Sequence, residues 1–195
     1  MVTDKQYISA QQLLEDSFRL GAQILNSGFR PNFIVGVWRG GSPVGIAVQE
    51  LLYYFGVQSD HISIRTSSYT GIGERTAHVR VHGLSYMIRN VNAEDALLIV
   101  DDVYDSGLSI EAIIETIHLK ARRNAPQDIR VATAYFKPGN NRTEREPDYY
   151  VHNTDNWLVF PHELDGLSIE EIVENKPGMR ALLDELPATQ KSARG

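Results

Sequence analysis

Apolar residues gather in short runs separated by polar turns, and two of the runs are nearly continuous: FIVGVW at 33–38 and LLIV at 97–100. Runs of that length without polar alternation predict strands buried on both faces, as in a parallel sheet. Arg39, Gly40, Gly41, Ser42 and Pro43 interrupt the first, after which Val44, Ala47, Val48, Leu51, Leu52 and Phe55 recur on one face of a helix. A polar turn at 101–109 follows the second. Ile110, Ile113, Ile114, Ile117 and Ala121 then form another helical stripe, ahead of a strand at 129–136. Strand, turn and helix in repetition predict an α/β fold, a mostly parallel twisted sheet flanked by helices. Such sheets bind ligands just beyond the carboxyl ends of their strands, where both polar turns lie.

The flanking segments are less regular. Ser9 and Gln12 make a capping box ahead of Leu13, Leu14, Phe18 and Leu25, which predicts a first helix up to about residue 26. Residues 65–76, RTSSYTGIGERT, are polar, contain glycine and lack periodicity, so they predict a long mobile loop before an alternating strand at 77–82. Another loop follows Lys137, short apolar runs come at 149–151 and 157–160, and Ser168 with Glu171 caps a short C-terminal helix. Residues 187–195 are expected to be a disordered tail.

Composition narrows the possibilities. At 195 residues and 42% hydrophobic, the chain suits one domain, with room for a small subdomain. It contains no cysteine, which excludes disulfides and thiolate metal sites and fits a reducing cytoplasm. A net charge of −6 opposes broad contact with nucleic acid. No stretch approaches the ~18 apolar residues of a membrane span, and the N-terminus lacks a basic segment followed by an apolar run. A small anion is still admissible, since an arginine, a metal or a helix N-terminus attracts one locally.

The chemistry concentrates in LLIVDDVYDSGLSI, residues 97–110. Asp101, Asp102 and Asp105 crowd a strand end, and their mutual repulsion is costly unless cations or hydroxyl donors meet it. Ser106, Gly107, Leu108 and Ser109 can wrap backbone N–H groups and two hydroxyls around a phosphate monoester at a helix start. Asp101 and Asp102 can accept hydrogen bonds from sugar hydroxyls or hold hydrated Mg²⁺. A phosphorylated ribose fits the combination.

This stretch resembles the signature of the type I phosphoribosyltransferases for phosphoribosyl pyrophosphate (PRPP): an apolar strand, two acidic residues, two variable ones, then Asp, Thr or Ser, and Gly. Other parts come in the family's order. VGVWRGG at 35–41 resembles the pyrophosphate loop, Ser68-Tyr69 the flexible catalytic loop, Lys137 the purine-contacting lysine and WLVFPHE at 157–163 the base-binding hood. The likeness is greatest to hypoxanthine, guanine and xanthine phosphoribosyltransferases.

It implies one phosphoribosyltransferase domain, core about 30–137, with a hood from about 138–165 and the N-terminal region. Asp101 and Asp102 are implied to bind the ribose hydroxyls directly or through Mg²⁺, and Ser106, Gly107, Leu108 and Ser109 the 5′-phosphate. Asp105 is implied to be the general acid/base at purine N7, and Lys137 the donor to the 6-oxo group. Trp157 would stack on the ring, the Leu158 backbone would read its edge, and Arg39 and Gly40 would hold pyrophosphate. A cis peptide at Trp38-Arg39 is also implied, rare for a non-proline bond. Asp101 stands where the family often has Glu, Ser106 where it has Thr, and Glu163 where an Asp helps bind magnesium pyrophosphate. The expected activity is therefore Mg²⁺-dependent transfer of the phosphoribosyl group from PRPP to a 6-oxopurine, in a cytoplasmic homo-oligomer, dimer or tetramer.

Alternatives exist. LLIVDD also resembles the opening strand of a response-regulator receiver, but only 95 residues run from Asp101 to Gly195, and Lys137-Pro138 comes 36 residues after Asp101 rather than near the domain's end. A PRPP-sensing regulator would keep the sugar-phosphate site and bind nucleic acid, which the acidic charge and the retention of Asp105, Lys137 and Ser68-Tyr69 oppose. Trp157 is either a stacking platform or ordinary core. Tyr53, Tyr54 and Phe55 are either core or subunit contacts. His78 and His82 share a strand face with Arg80 and are expected to be exposed or subunit-facing, and Arg122 with Arg123 to complement a helix dipole.

Overall fold

The computed structural model describes residues 5–70 and 77–186, with only the backbone at 68–70, 77 and 78. In chain order its elements are β1 (Lys5–Tyr7), α1 (Ala10–Asn26), β2 (Phe33–Trp38), α2 (Gly41–Tyr54), β3 (Asp60–Thr70), β4 (Ala77–His82) and α3 (Ser85–Asn90). There follow β5 (Ala96–Tyr104), α4 (Leu108–Ala121), β6 (Asp128–Phe136), β7 (Tyr149–Asn153), β8 (Trp157–Val159), α5 (Ile169–Asn175) and α6 (Met179–Glu185). They form two compact units, one of Gln11–Asp155 and one of Met1–Ala10 with Asn156–Gly195. The division falls after Asp155 rather than near residue 138, because β7 pairs with β6 and extends the large sheet.

The larger unit is built on a six-stranded sheet in the order β4-β3-β2-β5-β6-β7, parallel except for the β3–β4 pair. The apolar runs explain its centre. Leu97, Leu98, Ile99 and Val100 of β5 are fully buried. Leu97 and Ile99 join a core with Met87 of α3 and with Ile110, Ile113 and Ile117 of α4, whereas Val100 approaches α2 at Gly45 on the other face. Burying side chains on both faces removes the polar alternation of a half-exposed strand. From β2 the chain crosses through α2 outward to β3, and from β5 through α4 outward the other way to β6. The adjacent strands β2 and β5 thus flank a topological switch point, where an open α/β sheet leaves a crevice at its carboxyl edge.

Several elements depart from the sequence expectations. Strand β3 runs on to Thr70 and pairs antiparallel with β4, Ser68 opposite Val79 and Tyr69 opposite His78, so residues 65–70 are hairpin strand rather than mobile loop. Thr66, Thr70 and Tyr69 have high strand propensity, masked by the polarity of their neighbours. Residues 71–76 of that loop, and the tail at 187–195, lie outside the described residues. Strand β5 continues to Tyr104, pairing Asp101, Val103 and Tyr104 with Thr133, Tyr135 and Phe136, so the polar turn shrinks to Asp105, Ser106 and Gly107. Helix α2 starts at Gly41, with Pro43 in its first turn where a missing N–H costs nothing. Tyr53, Tyr54 and Phe55 are 59%, 83% and 60% exposed and are not core.

In the smaller unit β1 pairs parallel with β8, Lys5 opposite Trp157, Gln6 opposite Leu158 and Tyr7 opposite Val159. Ile8, Leu158, Val159, Phe160 and Ile172 are buried. The expected capping box is present: Ser168 Oγ accepts from the Glu171 N–H, and the Glu171 carboxylate accepts from the Ser168 N–H. That carboxylate also accepts from Lys5 Nζ at 2.6 Å and Tyr7 Oη at 3.1 Å. Among the described residues no helix is long and apolar enough to cross a membrane.

Candidate active site

The carboxyl ends of β2 and β5 meet without room for side chains between them. At Gly40 a Cβ would fall on the Asp102 carboxylate, and at Gly41 it would meet the Val100 carbonyl and come within 2.7 Å of the Asp101 Cα. Only glycine lets the turn after β2 approach this closely. Just ahead of it the Trp38–Arg39 peptide is cis, as the family resemblance implies. Arg39 is exposed, and its guanidinium has no hydrogen-bond or ion-pair partner among the described residues.

On the other side of the crevice Asp102 is 8% exposed. Its N–H donates to Asp101 Oδ1 at 3.0 Å, and the Val103 N–H donates to Asp102 Oδ1 at 2.8 Å. Burial, and next the Asp102 carboxylate beside it, hold the Asp101 carboxyl well above the usual carboxylate range, against backbone N–H bonds from Asp102 and Gly41. Two adjacent carboxylates in this condition call for positive charge. Mg²⁺ takes one or two protein carboxylates and completes its octahedron with water and substrate oxygens, so Asp101 and Asp102 fit that donor set. Among the described residues no three His, Asp or Glu side chains cluster as a metal cage.

Beyond β5 the chain turns through Asp105, Ser106 and Gly107 into α4 around a hollow of about 80 Å³. Its lining includes Asp101, Tyr104, Asp105, Ser106, Gly107 and Ser109. Gly107 has φ 77°, and a Cβ there would lie 2.6 Å from Thr143 Oγ1 and 2.7 Å from Tyr104 Oη. Leu108 opens α4, so the backbone N–H groups of its first turn need partners from outside the helix.

The loop after β6 closes this turn from behind. Tyr104, 1% exposed, meets Thr143 Oγ1 at 3.0 Å and donates to the Arg145 carbonyl at 2.9 Å, while the Arg142 N–H donates to the Ser106 carbonyl at 3.0 Å. Lys137 ends β6 with its N–H on the Tyr104 carbonyl and its Nζ 3.6 Å from Asp105 Oδ2. Asn140 Nδ2 donates to Asp105 Oδ1 at 3.0 Å. The structure thus brings together Arg39, Gly40, Asp101, Asp102, Asp105, Ser106, Gly107, Leu108, Ser109 and Lys137 at one edge of the sheet. Asn140 and Tyr104, which the sequence did not single out, join them.

The remaining expected residues are elsewhere. Ser68 and Tyr69 are on β3, their side chains outside the described residues. Trp157, Leu158 and Glu163 belong to the smaller unit. Trp157 is 55% exposed, which removes it from the core, while Leu158 is buried. Glu163 is engaged in its own turn, accepting from the Phe160 N–H at 3.0 Å while its N–H donates to the Phe160 carbonyl. Lys176 lies under the same turn, donating to the Phe160 and Pro161 carbonyls.

A crevice at the switch point of a parallel sheet, with two adjacent carboxylates and a polar turn that opens a helix, has groups that can meet the hydroxyls and phosphate of a sugar phosphate. The model of the phosphoribosyl transferase domain matches residues 5–166, and the chain belongs to that family and is a phosphoribosyltransferase. It is 23% identical over 179 residues to the hypoxanthine-guanine phosphoribosyltransferase of Streptococcus pyogenes serotype M3, covering 91% of this chain and 92% of that one. The solved purine phosphoribosyltransferase of Pyrococcus horikoshii is 28% identical, with a TM-score of 0.62 over 84% of this chain and 97% of that one. A Neisseria gonorrhoeae protein solved with bound ppGpp shares the fold at a TM-score of 0.72 and 19% identity, over 90% and 97% of the two chains.

Proposed function

We propose that this chain transfers the 5-phosphoribosyl group of PRPP, with Mg²⁺, to a 6-oxopurine such as hypoxanthine, guanine or xanthine. The carrying observation is Lys137 paired with Asp105 between the phosphate turn and the paired acids. Lysine only donates, so Lys137 matches a 6-oxo acceptor and opposes the 6-amino group of adenine. The Streptococcus pyogenes relative, named for hypoxanthine and guanine, agrees with that direction, and the Pyrococcus horikoshii one with a purine.

The residues then divide the work. Ser106, Gly107, Leu108 and Ser109 hold the 5′-phosphate, Asp101 and Asp102 the ribose hydroxyls, and Arg39 with Gly40 the pyrophosphate. Asp101 and Asp102 would hold Mg²⁺, which would supply positive charge against the departing pyrophosphate. The purine nitrogen forms a bond to the anomeric carbon as pyrophosphate leaves with the electrons of the broken C–O bond. Asp105 takes the proton that the purine loses. The hairpin bearing Ser68 and Tyr69 keeps water from the cationic sugar.

The test follows pyrophosphate release with PRPP, Mg²⁺ and each of hypoxanthine, guanine, xanthine, adenine, uracil and orotate. Release with the 6-oxopurines, far above adenine, is expected. Preference for adenine or a pyrimidine would refute the assignment of Lys137, and release with none would refute the activity.

A further inference from the structure

We propose that Asn140 is a positioning residue for Asp105, resting on the reading of Asp105 as the group that takes the purine proton. Asp105 follows the end of β5, and its side chain is about half exposed, at 49%. Nothing in a packed core therefore fixes its carboxylate. Two donors meet it: Lys137 Nζ, 3.6 Å from Oδ2, and Asn140 Nδ2, 3.0 Å from Oδ1. These donors are not equivalent. A lysine that turns its protons toward a purine oxygen loosens its hold on Asp105, whereas the Asn140 amide has no such second task. Asn140 keeps Oδ1 occupied and leaves Oδ2 to accept the proton.

The backbone that carries the amide is held by a ring of contacts. The Lys137 N–H donates to the Tyr104 carbonyl at 2.9 Å, so the loop begins beside the residue preceding Asp105. A single 3₁₀ turn, Pro138–Asn140, follows, with the Asn140 N–H on the Lys137 carbonyl at 3.1 Å. Asp155 Oδ1 accepts from the Gly139 N–H at 3.0 Å and pins the middle of that turn. Tyr104, Lys137, Asn140 and Asp105 thus form a circuit that sets where the backbone bearing the amide stands beside the carboxylate. Such a restraint on a reacting group acts on turnover rather than on substrate binding.

The experiment measures kcat and the KM for PRPP in wild type, Asn140→Ala, Asn140→Gln, Asp105→Asn and the Asn140→Ala/Asp105→Asn double variant, with hypoxanthine as base. Asn140→Ala should lower kcat roughly tenfold, the worth of one hydrogen bond to a charged group, with KM for PRPP changed less than about twofold. Asn140→Gln, which keeps the amide, should recover part of that loss. In the Asp105→Asn background Asn140→Ala should cost less than about twofold more, since a residue acting through another has little left to do once the other is gone. Unchanged kcat in Asn140→Ala, a loss confined to KM, or full multiplication of the two single effects would each overturn the positioning role while leaving the proposed activity intact. A wild-type protein that releases no pyrophosphate would overturn the activity and this role together.

Discussion

Gly40 and Asp102 occupy one another's space: the position a Cβ would take at residue 40 lies on the Asp102 carboxylate. Asp102 is nearly buried and its Oδ1 already accepts from the Val103 N–H, so it has little freedom to withdraw. Gly40→Ala should therefore cost stability by overpacking, about 1–3 kcal/mol, and displace the Asp102 carboxylate at the edge of the crevice. Thermal unfolding should show a lower Tm, and the KM for PRPP should rise. An alanine variant with unchanged Tm and KM would mean that the two turns do not meet as closely as described.

Tyr104 joins the loop at 142–145 to the turn at 105–107. Its hydroxyl donates to the Arg145 carbonyl and meets Thr143 Oγ1, and burial pushes its phenol pKa up. Tyr104→Phe deletes these bonds with little change in packing, leaving the Arg145 carbonyl with fewer donors. The expected cost is roughly 1–2 kcal/mol of stability. Binding of inorganic phosphate or PRPP, followed by calorimetry, should weaken as well, because Gly107 rests against both Tyr104 and Thr143. Loss of stability with unaltered phosphate binding would separate the clasp from the site.

Some of this organisation is legible in the sequence. Leu97–Val100 and Phe33–Trp38 announce themselves because both faces of each strand are covered, and the acids with the Ser106–Ser109 turn are contiguous, so chemistry and position coincide. Thr66, Ser67 and Thr70 hide a strand because their own segment has no apolar alternation, the apolar positions of the hairpin being Ala77, Val79 and Val81 of β4. Lys5, Gln6 and Tyr7 hide another, since β1 exists through pairing with residues more than a hundred positions away. Asn140 is one amide in a polar loop, and its role depends on a turn that only the tertiary fold brings to Asp105. The contact of Gly40 with Asp102 is likewise invisible until β2 and β5 are known to be neighbours.

The Lys5–Glu171 pair ties β1 to the start of α5 and should give the smaller unit a pH-dependent stability. The Lys5 ammonium, and next the Ser168 N–H, hold the Glu171 carboxyl below its ordinary 4.5. A depressed carboxyl contributes stability that is full above the unfolded value and is lost as pH falls through the folded one. Lys5, raised by the same bond, keeps its share below 10.5 and loses it as pH rises further. Glu171→Gln preserves the capping box but removes the charge. The wild type should unfold at a higher temperature than Glu171→Gln throughout neutral pH, and the gap should close as pH drops below about 4.5. A gap that persists undiminished well into acid would assign the stability to shape rather than charge.

Lys137 offers the sharpest separation of binding from discrimination. Its side chain is 12% exposed, its backbone N–H is committed to the Tyr104 carbonyl, and its ammonium lies near Asp105. Lys137→Met keeps the length and apolar stem of the side chain and deletes the donor, so the strand end and the turn at 105–107 should stay in place. The KM for PRPP should hardly move. Toward a 6-oxopurine, loss of a charged hydrogen bond should lower kcat/KM roughly ten- to hundredfold. Toward adenine the expected change is smaller or opposite in sign, because the variant no longer presents an ammonium that the 6-amino group cannot accept. The ratio of the two kcat/KM values is thus the decisive quantity: it should fall in Lys137→Met, and a ratio equal to that of the wild type would remove Lys137 from base recognition while leaving its contact with Asp105 as a structural one.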